Sequence, residues 1–181
     1  MNNATENLVD DHVYILRLID VMELMTGVSD PSVSDLEETV NLIKNFADGL
    51  HHAKEEKLLF PLLAERGFSL KQGPVAVMLH EHTQGRNYVQ EISENILLLK
   101  NGELYALSGI YNNMLAYGEL LRNHIAKENN VLFKMADQAL SENDQESLAN
   151  QFHKLENQDI SDSQKIDFIG RIKQLEQVYN Q

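Results

Sequence analysis

Residues 51–60 read HHAKEEKLLF and residues 124–133 read HIAKENNVLF. Six of the ten positions are identical: His51/His124, Ala53/Ala126, Lys54/Lys127, Glu55/Glu128, Leu59/Leu132 and Phe60/Phe133. Unrelated segments agree at roughly one position in ten or fewer. The offset is 73 residues, and a shorter echo, Asp11-His12 against Glu81-His82, recurs at an offset of 70. In a helix, residues i and i+4 share a face one turn apart. Each His-x-x-x-Glu therefore presents an imidazole and a carboxylate on the same side. If Leu59 and Leu132 face the core a turn later, then His51, Glu55, His124 and Glu128 face it too. Buried charge of this kind is costly alone. It is tolerated when a cation neutralises it, as in helical bundles that bind two metal ions through inward His and Glu.

His12 and His82 supply one imidazole from each remaining helical stretch. The expected metal ligands are His12, His51, Glu55, His82, His124 and Glu128. Four imidazoles and two carboxylates, with no soft sulfur, suit iron or manganese better than copper(I). Tetrahedral zinc leaves ligands over, whereas two ions bridged by the carboxylates use them all.

These residues need helices to position them. Apolar residues fall at helical spacing from about Glu6 to Met25, ending at Gly27–Pro31. A second stretch opens at Ser34, with Glu37 three residues on as a capping box. Leu36, Val40, Ile43, Ala47, Leu50 and Leu58 form its stripe. Pro61 should kink or end it, and Arg66-Gly67 should stop it. The third stretch runs from Gly73-Pro74 to Leu99 and closes at Asn101-Gly102. The fourth runs from about Leu104 to Leu140, with a break expected near Ser108-Gly109. Ser141–Asp144 forms a new cap, and shorter helical patterns follow at 146–155 and 163–179. The expected fold is all-α: an up-down-up-down four-helix bundle over residues 1–140. A helical extension over 141–181, packed on or beside the bundle, carries no evident chemistry of its own.

Composition agrees. The chain of 181 residues has three Pro and nine Gly and no Cys, which excludes disulfides, thiolate metal sites and a cysteine nucleophile. Lys+Arg number 15 and Asp+Glu 28, a formal charge of −13, which repels nucleic-acid phosphates and anionic lipid. The N-terminus, Met1-Asn-Asn-Ala-Thr-Glu, lacks the basic start and apolar run of a leader. A cytoplasmic protein, monomer or homodimer, without nucleic-acid or membrane partners is expected. Phosphate loops, nucleophile elbows and H-E-x-x-H are absent from the sequence.

The neighbouring titratable residues read more plainly. His52 and Glu56 point about 100° away from His51 and Glu55 on an α-helix. A register using His52 and Glu56 has the same spacing, but the repeat places Ile125 and Asn129 there. His80 and His153 read as surface residues. Lys54 and Lys127 should snorkel to solvent. The methionines read as core filler.

Asp11-His12, HHAKEEKLLFP at 51–61, MLHEHTQGR at 78–86 and HIAKENNVLF at 124–133 together resemble the hemerythrin-like, or HHE cation-binding, family over roughly residues 6–140. The resemblance implies a four-helix bundle with two iron ions, bridged by carboxylates and by an oxo or hydroxo group, that bind O2 or related small molecules. Two features depart from the oxygen carriers of that family. They have His-x-x-x-His on the third helix, where this chain has Met78 four residues before His82. They have Asp five residues after the fourth-helix His, where this chain has Glu128 four after His124. Two six-coordinate irons offer twelve positions. Four imidazoles, two bridging carboxylates and one shared oxygen fill ten and leave two. Either the site is more open than an oxygen carrier's, or another ligand joins it. Tyr117, two turns before His124, is the first candidate, followed by Glu81 and His80.

The expected function is therefore to bind or reduce O2, NO or peroxide, in sensing, storage or detoxification rather than simple O2 carriage. Peroxide- or NO-consuming oxidoreductase activity would be one form of it. The alternative is an iron- or redox-responsive interaction module, with the C-terminal helices reporting occupancy. Repair of iron centres ranks lower, because relatives with that role usually carry an additional Cys-containing N-terminal region.

Overall fold

The computed structural model describes residues 3–159 and 162–180. Met1 and Asn2, part of the stretch inspected for a leader, lie outside them. Helix α1 spans Ala4–Met25. The second rod begins as α2, Val33–Leu42. It continues through π-helical turns at Ile43–His52 and Glu55–Leu59 and ends as α3, Phe60–Glu65. Helix α4 is Gly73–Lys100. The fourth rod is α5, Ala106–Lys127, a π turn at Glu128–Leu132, and α6, Phe133–Ala139. Two further helices follow, α7 (Glu142–Asp159) and α8 (Asp162–Tyr179). No helix among the described residues is long and apolar enough to cross a membrane.

The four rods close a ring, α1 against the second rod, α2 against α4, α4 against α5, and α5 back against α1. Gly67 and Gly102 stop two rods with positive φ of 92° and 94°, the left-handed conformation that glycine adopts without steric cost. Ser141 and Asp144 cap α7 reciprocally: the Asp144 amide donates to Ser141 Oγ, and Asp144 Oδ2 accepts from the Ser141 amide and hydroxyl.

Three local expectations are corrected. The second rod starts at Val33, so Ser34 and Glu37 both sit inside the helix and form no capping box. The Ser34 hydroxyl instead meets that of Ser32 at 2.7 Å, and Glu37 pairs with Lys100 on α4. Helix α5 runs unbroken through Ser108-Gly109, and Gly109 serves close packing. A Cβ there would come within 2.5 Å of the Asn95 side-chain oxygen on α4. Pro61 does not end the rod: the π-helical turn gives way to α3 at Phe60, and α3 carries on to Glu65 with the proline in its first turn.

The core divides in two. One apolar cluster includes Ile15, Ile19, Phe46, Leu50, Ile92, Met114 and Leu121. The other includes Leu8, Leu59, Phe60, Met78, Leu132 and Phe133. Between them, at mid-height on all four rods, lies a buried polar layer: Asp11, His12, His51, His52, Lys54, Glu55, His82, His124 and Glu128. Helices α7 and α8 pack along the side made by α1 and the second rod. They contribute Leu148 and Phe152 to one apolar cluster and Phe168, Ile172 and Leu175 to the other.

Candidate metal centre

The structure brings the six expected ligands together. His12 Nε2 and His51 Nε2 lie 3.0 Å apart, and His82 Nε2 and His124 Nε2 lie 3.1 Å apart. The carboxylates stand between the pairs. Glu128 places Oε2 at 3.3 Å from His12 Nε2 and Oε1 at 3.3 Å from His124 Nε2. Glu55 places Oε1 at 3.7 Å from His51 Nε2 and Oε2 at 3.3 Å from His82 Nε2. Two overlapping groups have ligand atoms within 4.8 Å of one another: His12, His51, Glu55 and Glu128, and His52, Glu55, His82 and His124.

The centre is duplicated beyond its ligands. Phe133 stacks on His12 with ring centroids 5.7 Å apart, and its repeat partner Phe60 stacks on His82 at 6.0 Å. The outer nitrogens of four imidazoles face matching acceptors, three of them hydrogen-bonded and His51 Nδ1 not. His12 Nδ1 meets Asn129 Oδ1 at 2.8 Å, and His82 Nδ1 meets Glu56 Oε1 at 2.7 Å. His51 Nδ1 faces Asp11 Oδ2 at 3.5 Å, and His124 Nδ1 meets Glu81 Oε2 at 3.0 Å. Such outer contacts set the tautomer and ring orientation of a metal-binding histidine, leaving Nε2 free to ligate.

His52 is the residue that helical spacing misassigned. It is buried, its Nδ1 contacts Asp48 Oδ1 at 3.1 Å, and its ring lies against that of His82. Both His51 and His52 reach the interior because this stretch is π-wound. Bonding i to i+5 reduces the angle between consecutive residues below that of an α-helix. The signal in the sequence was the His-His pair itself.

Lys54 is a second correction. It is fully buried rather than snorkelling, while Lys127 is exposed at its side chain. His80 is exposed, and Glu81 supports His124 from behind. Tyr117 is buried beside Gly85 and lines a cavity of about 230 Å³ that also touches His52, His82 and His124. Burial pushes its phenol well above the ordinary range, so it stays protonated.

The electrostatics of the bare residues show what a cation would relieve. Burial opposes the charge of Glu55, but His51 and His82 beside it hold its carboxyl down to about 2. Burial likewise opposes the His82 imidazolium, but Glu55 and Glu56 push it up to about 9. His51 and His52 are driven down by burial, with His12 and His82 respectively adding repulsion. Both oxygens of Glu55 and of Glu128, together with His52 Nε2, are buried without a hydrogen-bond partner. Buried polar atoms are ordinarily paired. Carboxylate oxygens and imidazole nitrogens converging without donors are what a hard or borderline cation requires, so the residues present fit a metal.

The model of the hemerythrin HHE cation binding domain matches residues 3–136 of the chain. The chain belongs to the hemerythrin HHE cation-binding family. Among curated proteins it is similar to the iron-sulfur cluster repair protein YtfE of Pectobacterium atrosepticum, 31% identical over 88 residues. The YtfE proteins of Escherichia coli O157:H7 and Cronobacter sakazakii are 32% and 33% identical over the same length. In each case the match covers 48% of this chain and 40% of the relative. No solved structure matches.

Proposed function

We propose that His12, His51, Glu55, His82, His124 and Glu128 hold two iron ions, with Glu55 and Glu128 bridging, and that the centre binds or reduces O2, NO or peroxide. Manganese is the other ion the donor set accommodates. The observation that carries this reading is the set of four carboxylate oxygens, buried without hydrogen-bond donors, each facing an Nε2. His52 Nε2 supplies a fifth imidazole to the His82–His124 side. That fills an eleventh coordination position, so coordination number no longer separates this site from an oxygen carrier's.

When bound, the metal supplies Lewis acidity and one-electron chemistry. The chain does the rest. The outer acceptors aim each imidazole, the two apolar clusters keep bulk water from the polar layer, and the cavity beside Tyr117 admits a small ligand to the His82–His124 side. A cytoplasmic monomer or homodimer, with bundle and appended helices meeting near residue 140, belongs to the same reading.

The curated relatives favour a second reading. The YtfE proteins are named for iron-sulfur cluster repair, so delivering iron to a damaged cluster is a role this chain can share. That reading gains weight over its place in the sequence argument.

Metal analysis and an optical spectrum of the protein purified from iron-replete cells, before and after peroxide and NO, test the proposal. About two irons per chain and a spectral response are expected; a metal-free, unresponsive protein overturns it. Stopped-flow mixing of the ferrous protein with O2 separates reduction from carriage, which a stable, reversible adduct would select. Transfer of iron to an apo iron-sulfur protein, without peroxide turnover, would select repair.

A further inference from the structure

The duplication has one marked asymmetry. In the second half, Lys127 pairs with Glu81 behind His124, at the protein surface. In the first half, the equivalent Lys54 pairs with Asp11 behind His51, and both are sealed beneath the C-terminal helices. Lys54 Nζ donates to Asp11 Oδ2 at 2.8 Å, Asn7 Oδ1 at 2.7 Å and Glu156 Oε1 of α7 at 2.5 Å. Lys165 of α8 reaches the other Asp11 oxygen at 2.7 Å and Glu156 Oε1 at 3.3 Å. A lysine wholly out of water needs such partners, and two of the groups in this network belong to the appended helices.

We propose that α7 and α8 are a working part of the metal centre: Glu156 and Lys165 are positioning residues that hold Lys54 and Asp11 behind His51, and so set cation affinity at the His12–His51 position and not at the His82–His124 position. The path is short. Lys54 and Lys165 hold the two oxygens of the Asp11 carboxylate, Glu156 anchors both lysines, and Asp11 Oδ2 faces His51 Nδ1 at 3.5 Å. Contacts of this kind behind a ligating histidine typically change metal affinity by about 10–100-fold. The other position has its own support in Glu81 on α4 and Lys127 on α5.

This inference rests on the proposed centre, and its test separates the two. The full-length chain is titrated anaerobically with cobalt(II) alone, followed by visible absorption. The wild-type chain is expected to take two equivalents. Glu156→Gln is expected to weaken one of them by about tenfold or more and leave the other unchanged. Glu81→Gln should weaken one equivalent, and the double variant should weaken both. A role confined to general stability predicts that Glu156→Gln weakens both equivalents or neither, and either result overturns the proposal. If Glu156→Gln does not fold, as judged by circular dichroism, Lys165→Gln is read in the same way. It leaves the Lys54–Glu156 pair in place. No cobalt uptake by the wild-type chain overturns the centre itself; two equivalents unaffected by the variants overturn the positioning role alone.

Discussion

The imidazole of His52 lies on that of His82, with 3.8 Å between ring centroids and 17° between planes. Its Nε2 is buried without a partner, and its Nδ1 is tied to Asp48. Arg86 holds Asp48 in turn, through Nη2 at 2.7 Å. His52→Ala should therefore weaken cation binding on the His82–His124 side by about tenfold or more. His80→Ala, two residues from His82 but exposed, should leave it unchanged. Iron-binding isotherms of the two variants make the comparison, and equal behaviour would remove His52 from the centre.

Glu128 reaches both histidine pairs, whereas His124 belongs to one. Glu128→Ala should abolish binding of both irons, and His124→Ala should release at least one. Metal content per chain after purification from iron-replete cells reads both outcomes. Full retention of two irons by either variant contradicts the assignment.

Removing the metal should loosen the fold as well as the site, since a ligand bound only by the folded state stabilises it. At free iron of about a thousand times Kd the gain is about 4 kcal/mol. For a chain of this size that corresponds to a rise in Tm of about 8–16 °C. Scanning calorimetry of the chelated and iron-loaded protein measures it. A Tm indifferent to iron would show that the buried carboxylates are satisfied without it.

The repeat allows a matched comparison of two lysines. Lys54→Ala leaves buried Asp11 and Glu156 to share the single cation of Lys165 and should cost about 3 kcal/mol. Lys127→Ala breaks a pair that is exposed at the lysine and should cost about 1 kcal/mol or less. Urea unfolding of the metal-free variants gives the difference, and equal costs would mean that Lys54 is solvated in solution.

Acid should release the C-terminal helices first. Burial opposes the charge of Glu156, but Lys54 and Lys165 hold its carboxyl below the ordinary 4.5. Arg17, through a hydrogen bond of 2.5 Å, does the same for Glu176 on α8 against a smaller burial effect. Carboxyls lowered by folding contribute stability that is present above 4.5 and lost as pH falls below it. Limited proteolysis of the metal-free protein at falling pH should cut within α7–α8 before it cuts α4 or α5. Simultaneous cleavage of all four would contradict this.

Much of the centre was readable because a repeated His-x-x-x-Glu carries its own control. Lys54 and Lys127 share a motif position, and so do Phe60 and Phe133, and this alignment set the register of each pair. The helix ends at Gly67 and Gly102 were legible for the local reason that glycine alone adopts positive φ without penalty. What escaped was non-local. His52 turns inward because the backbone winds as a π-helix, and side-chain spacing on an assumed α-helix cannot report that. Lys54 is sealed by Glu156, which lies 102 residues away in sequence. Gly109 looked like a helix break because its meaning lies in the nearness of Asn95.

Glu55 lies between His51 of its own hairpin and His82 of the other, and Glu128 between His124 and His12. Each hairpin therefore contributes a matched pair of imidazoles and one carboxylate that crosses the seam to an imidazole of its neighbour, while His52 is a third imidazole on the first hairpin alone. Neither hairpin alone gathers both carboxylates with both histidine pairs; the two face to face do. The centre has the logic of a tandem dimer whose subunits have been fused, and the loop joining α3 to α4 keeps them at a fixed mutual concentration.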